Sequence, residues 1–84
     1  MGSLEKRIAA LARATGPSPF NEVKQVCDHF FGAPRVHGSH MIYKTPWRGD
    51  PRVNIQNRNG TVALYQVKQV LKALERLEAD DGQA

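Results

Sequence analysis

The sequence predicts a small α+β domain, a three-stranded antiparallel sheet with helices packed on one face. Two stretches with helical periodicity come before residue 33, and three short segments rich in Val, Ile and Tyr lie between residues 35 and 56. An apolar stripe of helical spacing closes the chain of 84 residues, which has room for one domain. The predicted order is therefore α-α-β-β-β-α, with the first helix as an extra N-terminal element.

The first predicted helix covers residues 3–14. Leu4, Ile8 and Leu11 recur at helical spacing, and a Gly-Pro pair at positions 16 and 17 ends the segment. Residues 1–17 are therefore assigned to an N-terminal helical extension.

The second predicted helix opens the main domain. Ser18 and Pro19 form a typical helix start, with a serine N-cap and a proline in the first turn. Apolar positions from Phe20 to Phe30 mark one face of the helix, and Gly32 closes it. The main domain is expected to begin here, at residue 18.

Three strand-like segments follow, over residues 35–37, 39–45 and 52–56. Gly38 separates the first two, and residues 46–51 form the turn before the third. The third segment alternates cleanly, so its apolar residues should face the helices and its polar residues should face outward. The inward residues are Val53 and Ile55, and the outward ones are Arg52, Asn54 and Gln56.

The middle strand has apolar residues on both faces, so its orientation is less clear. We favour Met41 and Tyr43 pointing inward, which leaves His40 and Lys44 on the open face. A bulge near Gly38 would reverse this arrangement.

An apolar stripe predicts a last helix that runs to about Glu78, and Thr61 is its expected N-cap. The main domain therefore covers residues 18–78. Residues 79–84 are expected to form a flexible tail.

Positive charge is concentrated in the middle third of the chain. Residues 34–59 contain five basic residues against Asp50 alone, which equals the whole formal net charge of +4. This concentration is typical of a surface that binds a polyanion, although five solvated charges on an ordinary surface have the same composition. The basic residues are Arg35, Lys44, Arg48, Arg52 and Arg58.

The composition also indicates a compartment. Cys27 is the only cysteine, so no internal disulfide can form and a reducing cytoplasm is the expected location. No apolar run approaches the ~20 residues of a membrane span, and the N-terminus lacks the pattern of a secretory signal. We therefore expect a cytoplasmic protein with no membrane contact.

One motif carries the chemistry, the segment RVHGSHMIY from Arg35 to Tyr43. It resembles the signature of the HicA toxins of bacterial toxin–antitoxin pairs, in which an arginine, two spacers and Gly-Ser-His lead into a strand that ends in an aliphatic–aromatic pair. The resemblance extends over roughly residues 20–77 and includes the VNI segment of the third strand and the QVKQVL segment of the closing helix.

The resemblance implies a fold similar to the double-stranded-RNA-binding domain. It also implies cleavage of messenger RNA in the cytoplasm, which inhibits translation and growth. His40 occupies the position of the histidine that the family needs for cleavage. A HicB-type antitoxin is the implied protein partner, expected to cover the His40 face.

Two positions depart from the family pattern. Members often have a second histidine where this chain has Met41, and a proline after the third strand where it has Gln56. The first change removes one candidate auxiliary base. The letters Gly38-Ser39-His40-Met41 are also left behind by a common expression-tag linker, but their place in mid-chain argues against that origin.

RNA carries its own nucleophile, the 2′-hydroxyl, so cleavage needs a base, an acid for the leaving 5′-oxygen and positive charge on the phosphate. His40 is the candidate catalytic residue because histidine gains and loses protons near neutral pH. Arg35, Lys44 and Arg48 are candidates for binding the RNA phosphate. Ser39 is a candidate for orienting the imidazole or contacting a phosphate.

Two further side chains are candidates for auxiliary roles. For His37, beside the glycine turn, a surface histidine without a role is the favoured interpretation. Trp47 is expected to be exposed in its turn, where it would stack on a base or meet a partner. Covering the edge of the small core is an equally good interpretation of Trp47.

No metal or cofactor is expected. Cys27 and the histidines have no standard zinc-ligand spacing, and acidic residues are too sparse in mid-chain to hold Mg²⁺. Cys27 also lies among apolar helical positions, which argues against a nucleophilic thiol.

Two other functions are compatible with the residues. One is a non-catalytic RNA-binding module of the same fold, and the other is an inactive protein whose basic face binds an acidic partner. A pure binder needs Lys and Arg but has no use for one histidine at a defined place, so the Gly-Ser-His motif favours a nuclease.

Overall fold

A computed structural model describes residues 3–49 and 51–82 of the chain. Within those residues the predicted α+β class is confirmed, with three helices and a three-stranded antiparallel sheet. The elements in chain order are α1 (Ser3–Ala12), β1 (Ser18–Pro19), α2 (Phe20–Phe31), β2 (Arg35–His37), β3 (His40–Tyr43), β4 (Val53–Gln56), β5 (Thr61–Val62) and α3 (Leu64–Gly82).

The sheet has the strand order β2-β3-β4, with β3 in the centre. Gly38 and Ser39 form the two-residue turn between β2 and β3, and Gly38 has a φ of 61°. A positive φ at the first turn position is the type II′ geometry, which favours glycine and suits the twist of the flanking strands. The turn places His37 directly opposite His40.

The orientation of the middle strand follows from its register. Met41 lies opposite Ile55 and Tyr43 lies opposite Val53, and all except Met41 are buried against the helices. The register is continuous through β3, so no bulge reverses the faces. The favoured prediction is confirmed, and His40 lies on the open face.

A second, two-stranded ladder joins β1 to β5, and the sequence did not predict it. Ser18, the expected N-cap, instead lies opposite Val62. Helix α2 begins at Phe20, with Pro19 as its N-cap and no side-chain hydrogen bond to the cap. The N-cap prediction was wrong because strand pairing occupies this segment: the Phe20 N–H donates to the Gly60 carbonyl at 2.8 Å.

Thr61 is likewise a strand residue and not an N-cap. Its hydroxyl donates to the carbonyl of Arg58 at 2.9 Å and so closes the turn before β5. Helix α3 begins only at Leu64.

The last helix is longer than predicted. It continues past Glu78 to Gly82, so residues 79–82 of the expected flexible tail are helical, and residues 83–84 lie outside the described residues. Residues 64–81 contain no proline or glycine that would end the helix sooner. Neither α3 nor any other helix in the described residues has the length and apolar composition needed to cross a membrane.

The core lies between the sheet and the helices and draws side chains from all three helices and from β3, β4 and β5. Helix α1 packs against α2 and α3, with Leu11 buried and Leu4 and Ile8 packed against the core. The N-terminal extension of residues 1–17 therefore supplies part of the core of the main domain.

Candidate active site

His40 is the first residue of β3 and is half-buried on the open face of the sheet. Its Nδ1 lies 3.0 Å from Oδ1 of Asn54 on β4. Because an amide oxygen accepts hydrogen bonds but cannot donate one, this contact places the ring proton on Nδ1. In the neutral ring, Nε2 is then the nitrogen with the lone pair that a general base uses.

His37 is brought next to His40 by the hairpin. The two residues lie directly opposite each other across the turn, so their side chains share the open face, with Cβ atoms about 5 Å apart. His37 is exposed. The spacing His-Gly-Ser-His, with a glycine in the first position of a two-residue turn, is the sequence signal for this pairing.

Ser39 is held by the end of β4. Gln56 lies opposite His40, and its Nε2 donates to Oγ of Ser39 at 3.2 Å. The backbone adds a second tie, because the N–H of Asn57 donates to the Ser39 carbonyl at 3.0 Å. These contacts fix the turn that carries both histidines.

Two of the predicted phosphate-binding cations lie by the open face. Arg35 is exposed on β2, two residues before His37, and therefore shares its face. Lys44 is exposed just after β3 and lines a cavity of about 350 Å³ together with Ile42 and Asn54.

The loop between β3 and β4 contains the remaining two candidates, Arg48 and Trp47. Arg48 is exposed in the loop between β3 and β4 and does not line that cavity. Trp47 is half-buried, and its Nε1–H donates to the Pro51 carbonyl at 2.8 Å. The guanidinium of Arg76 lies over its ring, 5.1 Å from the centroid. The expected exposure of Trp47 was therefore wrong, and the core-covering interpretation agrees with the structure.

On the helix-covered face of the sheet, a polar contact connects β3 to α2. The hydroxyl of Tyr43 donates to Oδ1 of Asp28 at 2.6 Å, and Lys24 donates to Oδ2 at 2.8 Å. Burial by itself raises the pKa of Asp28, but these hydrogen bonds outweigh it and the pKa lies below its ordinary value. Burial and the bond to Asp28 raise the pKa of Tyr43, so the phenol stays neutral and keeps donating.

Cys27 is fully buried in α2. Burial raises the pKa of its thiol to about 12, and the charge of Asp28 adds to the rise. A thiol in this state is not a nucleophile near neutral pH. Across residues 3–49 and 51–82, no three His, Cys, Asp or Glu side chains are grouped to hold a metal ion.

Met41, at the position where the resembled family often has a second histidine, does not remove a side chain from the open face. Position 41 lies opposite the buried Ile55, on the side of the sheet that the helices cover. A histidine there would point towards the helices and away from His40.

Comparisons of the chain with family models, with curated proteins and with solved structures find no match. Any functional assignment therefore depends on the motif and on the geometry of the open face.

Proposed function

We propose that this chain is a HicA-type toxin, an endoribonuclease that cleaves messenger RNA with His40 as its general base and without a metal ion or cofactor. The main support is the hydrogen bond between His40 and Asn54, which engages Nδ1 of the imidazole and leaves Nε2 available on an open, cation-flanked face. A second histidine, His37, stands opposite on the same face.

The cleavage step uses side chains only. Nε2 of His40 takes the proton of the ribose 2′-hydroxyl, and the freed oxygen attacks the adjacent phosphorus. The bond between phosphorus and the 5′-oxygen breaks, and the imidazolium of His37 gives its proton to that leaving oxygen. The products are a 2′,3′-cyclic phosphate and a 5′-hydroxyl. Arg35 places positive charge near the phosphate, where negative charge builds up in the transition state.

The same face suits a HicB-type antitoxin. Ile42 lies at the centre of the open face, opposite Arg35 on one side and Asn54 on the other, and is 38% exposed. An exposed apolar residue with a polar rim is a typical anchor for a protein partner. An antitoxin bound over Ile42 would cover His40 and prevent RNA from binding. The cytoplasm, where messenger RNA is present, is the proposed location of both proteins.

Cleavage by the purified chain in EDTA tests the metal-free step. We expect a single-stranded RNA to be cut at the same rate in 5 mM EDTA as in buffer with Mg²⁺, because the base, the acid and the cation all belong to the chain. Activity that disappears in EDTA and returns with added Mg²⁺ would contradict the proposal. RNA that is bound but never cut would instead identify a non-catalytic RNA-binding module.

Asn54 acts as a positioning residue for His40. Replacing Asn54 with alanine is expected to lower kcat by about tenfold, since the ring loses the acceptor that keeps its proton on Nδ1. ¹⁵N spectra of the His40 imidazole should then show a shift from the Nδ1–H to the Nε2–H tautomer. Asn21→Ala, on the exposed surface of α2, is the matched control and should change neither value. An unchanged tautomer in Asn54→Ala would rule out this role.

A further inference from the structure

A basic groove runs between the free edge of β4 and helix α3. Strand β4 is an edge strand of the sheet, and the groove of about 650 Å³ lies beside it. Its lining residues are Pro51, Arg52, Asn54, Gln69, Lys72 and Arg76.

The chemistry of the groove suits a phosphate backbone. Among the residues that the structure describes, its lining contains three cations and two amides. The guanidinium of Arg76 is held over the Trp47 ring, so its charge is already in place before a ligand arrives. Arginine and lysine together with amide donors are the side chains that most often contact phosphate and sugar in nucleic-acid complexes.

The groove is continuous with the histidine site through Asn54. The Asn54 side chain hydrogen-bonds the His40 ring at 3.0 Å and also lines the groove. Arg52 stands two residues earlier on the same side of the chain, about 7 Å from Asn54 along the strand, and lines the groove as well. A strand of RNA with its scissile phosphate at His40 therefore has a cationic path over Asn54 towards α3.

We propose that this groove binds the sugar–phosphate backbone of single-stranded RNA next to the cleaved bond, an inference that rests on the proposed nuclease function. Its volume of about 650 Å³ lies within the range of small-ligand pockets, which gives room for a short stretch of backbone. None of the phosphate-binding residues expected from the sequence lines it. The groove therefore adds Arg52, Lys72 and Arg76 as substrate-binding residues.

Binding of an uncleavable RNA tests the groove. A fluorescent single strand of twelve nucleotides, 2′-O-methylated throughout, is titrated against the full chain at several salt concentrations. Lys72→Gln is expected to weaken binding about fivefold and to reduce the slope of log affinity against log salt by about 0.7. Lys6→Gln, the same change on the exposed surface of α1, is the matched control and should bind like the wild type.

Two outcomes would contradict the proposal that this groove binds RNA. In one, Lys72→Gln binds the RNA as tightly as Lys6→Gln does, with both variants folded by circular dichroism. In the other, polyglutamate of equal charge displaces the RNA at equal concentration, which would indicate a surface for acidic proteins.

The assay separates this inference from the nuclease proposal because it involves no cleavage. If the wild-type chain binds RNA in a way that depends on Lys72 and yet fails to cut ordinary RNA, that result would support RNA binding in the groove and contradict the nuclease proposal. If the chain cuts RNA but Lys72→Gln does not weaken RNA binding, the nuclease proposal is supported and the groove proposal is contradicted.

Discussion

Replacing His40 with alanine should lower the rate of RNA cleavage by about 10³-fold and leave the fold intact. The imidazole is the proposed base for the 2′-hydroxyl, and Asn54 holds its ring through Nδ1. A half-buried strand residue on an open face contributes little packing, so the loss of stability should be small. Cleavage of a fluorescent RNA by purified protein measures the rate, and circular dichroism checks the fold.

His29→Ala is the matched control for this variant. His29 is exposed on α2 and stacks edge-on against Phe30. Induced in bacteria at equal soluble levels, the wild type and His29→Ala should arrest growth, whereas His40→Ala should not. Growth arrest or cleavage by His40→Ala at the wild-type rate would remove His40 from the mechanism.

Replacing His37 with alanine should lower cleavage by about 10²-fold, because the leaving 5′-oxygen then departs without a proton. A substrate with sulfur in place of that oxygen sharpens the test. A thiolate leaves without protonation, so His37→Ala should cut this substrate at nearly the wild-type rate. His40→Ala should remain inactive on it, since the base is still needed.

The pattern across the two substrates assigns the roles. If His37→Ala is equally slow on the oxygen and sulfur substrates, His37 is not the acid. If its rate on the ordinary substrate equals that of the wild type, His37 is a surface histidine without a role, as the sequence alone favoured.

Periodicity was sufficient to predict most of the fold. Helical spacing located α2 and the start of α1, and the alternation in β4 correctly placed Val53 and Ile55 inward. Local signals failed where a long-range contact replaced them. Ser18 and Thr61 both have the residue type of an N-cap, but the β1–β5 ladder joins segments more than forty positions apart, which no local pattern reveals.

The sequence likewise predicted some residues of the candidate site and missed others. The Gly-Ser-His motif located His40, and strand alternation placed it on the open face. The contact with Asn54 depends on the register between β3 and β4, so it could not be deduced from either strand alone. The groove residue Lys72 lies on α3 outside the apolar stripe that predicted this helix, and the stripe says nothing about what the other faces of the helix meet.

The ends of the cleaved RNA test the central claim most directly. Mass spectrometry of fragments released by the purified wild-type chain should find a 2′,3′-cyclic phosphate on one side of each cut and a 5′-hydroxyl on the other, since the 2′-hydroxyl activated by His40 is the nucleophile. Fragments that carry a 5′-phosphate and a 3′-hydroxyl would show that water attacked the phosphate, and would contradict the histidine mechanism.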